Sequence, residues 1–237
     1  MAEPDFPDFG AHPRNIQYTT KAARLLNQTE TGVARVFAEQ SENFLERQYG
    51  TVFAVIDLGF TSDFYDVSEV LVDTLRKDFY ADLNVPVEQS FERALTGINQ
   101  TLADLAAEGQ NDWVGQLNAL VGVIHENELY LSQVGKAEAY LVRGPSVTHI
   151  TDGLKSDNAA SAKTFQNLAS GDLEVGDKLL FATDELFNHL SVHDIRRHLY
   201  LHPPTRAIRK MADQLTQGGQ PGRLAVATIE LTTIDLI

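Results

Sequence analysis

Two runs of apolar, β-prone residues in this 237-residue chain each end in an aspartate. The first is Gly50-Thr51-Val52-Phe53-Ala54-Val55-Ile56-Asp57, and the second is Lys178-Leu179-Leu180-Phe181-Ala182-Thr183-Asp184. Almost wholly apolar runs of this kind read as buried strands. A carboxylate at such a strand tip is the kind of oxygen ligand that hard cations such as Mg²⁺ or Mn²⁺ prefer. Other chemistry-bearing residues have plainer readings. The pairs His189/His193 and His198/His202 stand four apart and can share a helix face. No cysteine or third ligand accompanies them, so they read as surface histidines. Asp63, Asp66, Asp73 and Asp78 flank one helix and read as a solvated face. Asp152-Gly153 and Asp157-Asn158 read as turn chemistry. Trp113 reads as a packing residue. There is no phosphate-cradling Gly-x-x-x-x-Gly-Lys, no Gly-x-Gly-x-x-Gly after a strand and no Gly-x-Ser-x-Gly. Their absence disfavours nucleotide-binding and serine-hydrolase chemistry.

Composition narrows the classes further. The formal charge is −14, which repels phosphate backbones and anionic lipid, so no nucleic-acid or membrane partner is expected. The same acidity favours metal ions or basic partners. Apolar residues make up 43%, enough to fill a core. The chain has no cysteine, which excludes disulfides and thiolate sites and suits a reducing cytoplasm. Met1 to Arg14 is acidic and Pro-rich, without the basic and apolar regions of a signal peptide. No apolar run approaches the roughly 18 residues that span a bilayer. The expectation is a cytoplasmic protein with a loose tail over 1–14 and one domain over 15–237.

The elements that must position the two aspartates follow from periodicity. Ile16–Thr20 and Gly32–Phe37 read as extended segments ahead of the Asp57 strand. Val67–Phe79 places Val67, Val70, Leu71, Leu75 and Phe79 on one helix face, with Ser68 as the expected cap. Val87–Glu108 repeats the pattern through Phe91, Leu95, Ile98, Leu102 and Leu105. The period then changes to two. Gln116–Ile124, Glu128–Val134, Ala137–Arg143 and Ser146–Thr151 read as an antiparallel meander, and 152–163 as a loop. After the Asp184 strand come a helix from Ser191, capped with Asp194, to about Leu201, and another over Thr205–Leu215. Arg223–Leu231 is the closing strand. Grouped strands and grouped helices predict an α+β fold, two antiparallel sheets face to face with helices outside.

These residues resemble the PPM-type (type 2C) metal-dependent serine/threonine protein phosphatases over about residues 35–232. The family's strand ending in Asp and then Gly-x-Gly-Gly is matched by Phe53-Ala54-Val55-Ile56-Asp57-Leu58-Gly59. Its upstream Glu-Asp pair is matched to Ser41-Glu42-Asn43, with Glu42 fifteen residues before Asp57. Its Val-Gly-Asp-Ser-Arg-Ala-Tyr-Leu is matched by Val134-Gly135-Lys136-Ala137-Glu138-Ala139-Tyr140-Leu141, followed by His149-Ile150-Thr151-Asp152. Gly176-Asp177 and the strand to Thr183-Asp184-Glu185 echo its Gly-Asp, strand, Ser-Asp-Gly. Gly222-Arg223-Leu224-Ala225-Val226 echoes its closing Asp-Asn-x-Thr strand.

The resemblance implies a four-layer α/β/β/α sandwich and hydrolysis of phosphate monoesters by two Mg²⁺ or Mn²⁺ ions that activate a water. It implies Asp57 as the bridging ligand, Leu58 through its backbone carbonyl, Glu42 completing one metal's shell, and Asp184 on the second metal. It also offers Arg35 for the family's phosphate-binding arginine. Four positions depart from the pattern. The second acid of the pair falls on Asn43, the Asp of Gly-Asp-Ser-Arg on Lys136, the closing Asp on Gly222, and the Gly after the strand-end Asp on Glu185. An ammonium at position 136 opposes cation binding nearby. The expectation is an eroded metal site and a pseudophosphatase that binds a protein partner or phosphoprotein. The alternative is a divergent phosphoserine/phosphothreonine phosphatase using Glu42, Asp57 and Asp184.

Overall fold

The computed structural model describes residues 16–30, 32–38, 40–59, 66–154, 164–219 and 221–235. The tail over 1–14, Asp63, Asp157 and Asn158 lie outside them. In chain order the elements are β1 (Ile16–Asn27), β2 (Val33–Ala38), α1 (Phe44–Tyr49), β3 (Thr51–Leu58), α2 (Val67–Phe79) and α3 (Val87–Ala107). There follow β4 (Leu117–His125), β5 (Glu128–Val134), β6 (Glu138–Arg143), β7 (Ser146–His149), β8 (Leu168–Asp172) and β9 (Lys178–Ala182). The chain continues through α4 (Glu185–His189), α5 (Val192–Leu201), α6 (Pro204–Gly218) and β10 (Leu224–Asp235).

Among the described residues all strand pairs are antiparallel, in two five-stranded sheets ordered β1-β10-β9-β6-β7 and β2-β3-β4-β5-β8. Alternation along each strand divides the apolar residues between two faces. On β3, Val52, Ala54, Ile56 and Leu58 pack with Leu71, Leu75, Phe91, Ile98 and Leu102 of α2 and α3. The alternate residues Phe53 and Val55 meet Leu179, Phe181, Ala225, Ala227 and Ile229 of the facing sheet. On that sheet's outer face, Leu180, Ala182 and Val226 pack with Ile195, Leu199, Ile208 and Met211 of α5 and α6. The expected four-layer α/β/β/α sandwich is therefore the observed fold.

Three local departures have physical causes. The cap of α2 is Asp66 rather than Ser68: Asp66 Oδ1 accepts from Ser68 N (3.0 Å) and Glu69 N (3.2 Å), while Ser68 is buried one position inside the helix. β8 is a polar Leu-Ala-Ser-Gly-Asp run without alternation, and pairing with β5 makes it a strand. β1 runs to Asn27 and β10 to Asp235, beyond their apolar cores, because the two pair with each other over their full length.

Candidate site at the acidic end of the sandwich

Strand parity aims a specific set of side chains into the space between the sheets. Asp57 is in phase with Phe53 and Val55, Asn118 with Leu120, and Arg223 with Ala225 and Ala227. The pairings Asp57↔Asn118 and Ala182↔Val226 put these positions at one end of their respective sheets. Ala182 also pairs with Glu138, so Lys136 enters at that end as well. Asp184, two residues beyond Ala182, begins α4 there. Asp57 and Asp184, from opposite sheets, thus share one end of the sandwich.

The Asp57 carboxylate is buried, its side chain 9% exposed, and the guanidinium of Arg223 holds it. Arg223 Nε donates to Oδ1 and Nη2 to Oδ2 (3.4 Å), a two-pronged contact that fits the planar fork of arginine. Asn118 Nδ2 donates to the same Oδ2 at 3.4 Å, and Asn118 Oδ1 accepts from Lys136 N at 2.9 Å. The loop before β2 closes the other side. Thr29 Oγ1 accepts from Arg223 Nη1 at 3.4 Å. Gly32, at φ +87°, passes so close that a Cβ would press on the Leu58 carbonyl oxygen and stand 2.7 Å from Arg223 Nη1. The Leu58 carbonyl, the backbone ligand implied by the resemblance, therefore lies on the same side of the loop as the guanidinium.

Two further acids at this end are also engaged. Lys136 Nζ lies 3.8 Å from Asp184 Oδ2, an exposed pair that contributes little to stability. Glu185 accepts from Gly222 N (2.5 Å), Asn188 Nδ2 (2.9 Å) and His189 Nε2 (3.0 Å). Burial pushes the Glu185 carboxyl up, but the bonds from Asn188, Gly222 and His189 outweigh it and hold it below the usual range.

Not every expected residue joins the site. β2 runs antiparallel to β3, with Ala34 opposite Asp57 and Ala38 opposite Phe53. Glu42 lies beyond Ala38, at the Thr51 end of β3, so about 13 Å of strand or more separates it from Asp57. The spacing of fifteen residues misled because β2 carries the chain away from the site before α1 turns it back. Asn43 caps α1, its Oδ1 accepting from Leu45 N at 2.9 Å. Arg35 is out of phase with Ala34 and Val36 and faces α2, where Nη2 meets Asp66 Oδ2 at 2.6 Å and Nε meets Ser68 Oγ at 2.9 Å. It is pinned by the α2 cap and is not at the site. His198 is buried and bonded to Gln214 Oε1 at 3.0 Å, so it is a packing residue and not a surface histidine. Trp113 is 1% exposed, as expected of a packing residue.

Sequence reasoning passed over Arg223, Asn118 and Thr29. Arg223 carried a signal: it is the one charged residue in phase with Ala225, Ala227 and Ile229 at the start of the closing strand. Among the described residues no three Asp, Glu or His side chains gather as a set able to hold a metal ion. With Glu42 at the other end and Asp57 bound by a guanidinium, these donors do not fit a two-metal centre. A groove of about 620 Å³ lies at the opposite pole, lined in part by Tyr18, Gln40, Phe44, Arg47, Glu126 and Ile234. It shares no residue with the acidic end.

No family model matches the chain, and no curated protein matches its sequence. Solved structures do match. The catalytic domain of the serine/threonine phosphatase PstP, in complex with two manganese ions, aligns at 15% identity over 92% of this chain and 100% of its own, with a TM-score of 0.68. PppA, a regulatory component of T6SS in Pseudomonas aeruginosa, aligns at 14% identity over 92% and 100%, with a TM-score of 0.66. The PPM Ser-Thr phosphatase MsPP of Mycobacterium smegmatis aligns at 14% identity over 89% and 97%, with a TM-score of 0.61. Two stacked antiparallel sheets, sheathed by helices and matched over nine-tenths of the chain, give this protein the fold of the PPM-type serine/threonine phosphatases.

Proposed function

We propose that this chain is a catalytically silent PPM-type domain, a pseudophosphatase that works by binding a protein partner in a regulatory role. The observation that carries the reading is the guanidinium of Arg223 on the Asp57 carboxylate. Two-metal hydrolysis needs a carboxylate whose oxygens are open to both ions, and a water activated between those ions. Here the strand-end carboxylate is engaged by a side chain of the protein itself. A fixed positive charge beside it also repels an incoming cation. Glu42, implied as a further ligand, sits at the other pole. A protein-binding role is supported there by the apolar side chains Phe44 and Ile234, which stand 57% and 53% exposed beside the groove. No helix of the described residues is long and apolar enough to cross a membrane. We assign the domain to the cytoplasm on its lack of cysteine, and treat residues 15–237 as one domain.

The second reading, a divergent phosphoserine/phosphothreonine phosphatase using Mg²⁺ or Mn²⁺, is favoured by the shared placement of Asp57 and Asp184. Turnover decides between them. Phosphoserine and phosphothreonine peptides and p-nitrophenyl phosphate, assayed with Mn²⁺, Mg²⁺ and Zn²⁺, should show no hydrolysis above that of an Asp57→Ala variant. Turnover that Asp57→Ala abolishes would overturn the silent reading and establish the second.

A further inference from the structure

We infer that Arg223 is a built-in counter-ion for Asp57, standing where a divalent-metal site of this fold would hold a cation, so that the sandwich closes without metal. The inference rests on the reading above that no two-metal centre operates.

The need for a cation here is structural as well as catalytic. Asp57 is aimed by strand parity into the inter-sheet space, at the edge of a cluster that contains Phe53, Val55, Phe181 and Ala225. A carboxylate at 9% exposure cannot remain without a counter-charge, because desolvation of the anion is too costly. In a metal-loaded fold the ions supply that charge. In this chain the buried Asp57 meets a guanidinium instead, while Asp184, more exposed to solvent, stands near an ammonium. Arg223 reaches across from the facing sheet to Asp57, and Lys136 reaches Asp184. The Arg223 contact is the stronger, being two-pronged and 16% exposed, whereas Lys136 is 76% exposed. Arg223 comes from β10's approach and Asp57 from β3, so the pair also clamps the two sheets at this end. A guanidinium has a fixed charge and a planar geometry, and unlike an ion it cannot be removed by a chelator.

Removing Arg223 while keeping Asp57 should therefore expose a latent cation site. The experiment follows thermal melts of the full chain with EDTA and with about 1 mM Mn²⁺. The unsubstituted protein should melt at the same temperature in both. Arg223→Ala should melt lower in EDTA and recover by about 5 °C or more in Mn²⁺, the shift expected for an ion present well above its Kd. Arg223→Gln, which keeps most of the side-chain volume, should do the same and serves if the alanine variant does not fold. The double variant Asp57→Asn/Arg223→Gln should lose the Mn²⁺ response. A Mn²⁺-dependent rise in the unsubstituted protein overturns the inference, because the guanidinium would then be yielding to metal. A folded Arg223→Gln that ignores Mn²⁺ overturns it too, and leaves the proposed function standing. Peptide turnover in EDTA would instead sink the proposed function without touching the counter-ion assignment.

Discussion

At the scale of single residues, the side chains with the strongest claim to chemistry are committed to one another. Arg35 was a candidate for phosphate, yet it spends its guanidinium on Asp66, the residue that caps α2. Burial pushes the Asp66 carboxyl up, but the Ser68 hydroxyl and Arg35 together outweigh it and bring it below its ordinary 3.8. A carboxyl depressed in the folded state adds stability at pH values above its unfolded pKa. That stability is lost as the pH falls through the lower, folded value. The group is a third exposed, so the ion pair itself is worth little and the cap dominates. Asp66→Ala should cost about 1 kcal/mol at pH 7 by urea unfolding. Its deficit relative to the unsubstituted protein should narrow near pH 3. A deficit that stays constant with pH would show that the charge plays no part.

Within elements, the two glycines of greatest contrast show where backbone space matters. Gly122 on β4 lies opposite Phe53 on β3, beneath its ring. A Cβ there would stand 2.6 Å from the Tyr130 carbonyl oxygen and 2.8 Å from Phe53 Cε2. Gly122→Ala should force the ring off its seat and cost about 1–3 kcal/mol of unfolding free energy. Gly218, at the end of α6, has nothing within 4 Å of such a Cβ and a φ open to any residue. Gly218→Ala should be neutral or slightly stabilising, by up to about 1 kcal/mol. Equal losses at both positions would refute the steric argument.

For the whole molecule, what joins the two sheets is the apolar layer between them, with the Arg223–Asp57 pair at one end. Phe53 and Phe181 stack across that layer with ring centroids 4.1 Å apart and planes 21° from parallel. Both are fully buried. Each alanine substitution should cost about 3–5 kcal/mol. The double substitution should cost less than the two added together, by about 0.5–1.5 kcal/mol. Strict additivity in that cycle would mean that the rings stabilise their own sheets rather than the contact between them.

The layered architecture and the two carboxylates at strand tips are readable in the order of residues alone. Period-two alternation and helical stripes are local properties, and they decide which residues form each face before any partner is known. Thus β3, β9, α2 and α3 were legible, and so was the α5 cap at Ser191. Tertiary structure decided the rest. Only the antiparallel register of β2 against β3 reveals that Glu42 travels away from Asp57, and only the facing of two sheets brings Arg223 to that carboxylate. The two residues of that pair lie 166 positions apart, so no local pattern can link them. Parity marked Arg223 as turned inward, while its partner depended on how two separate sheets stack. β8 was illegible for the same reason, being a strand only because β5 offers it hydrogen bonds.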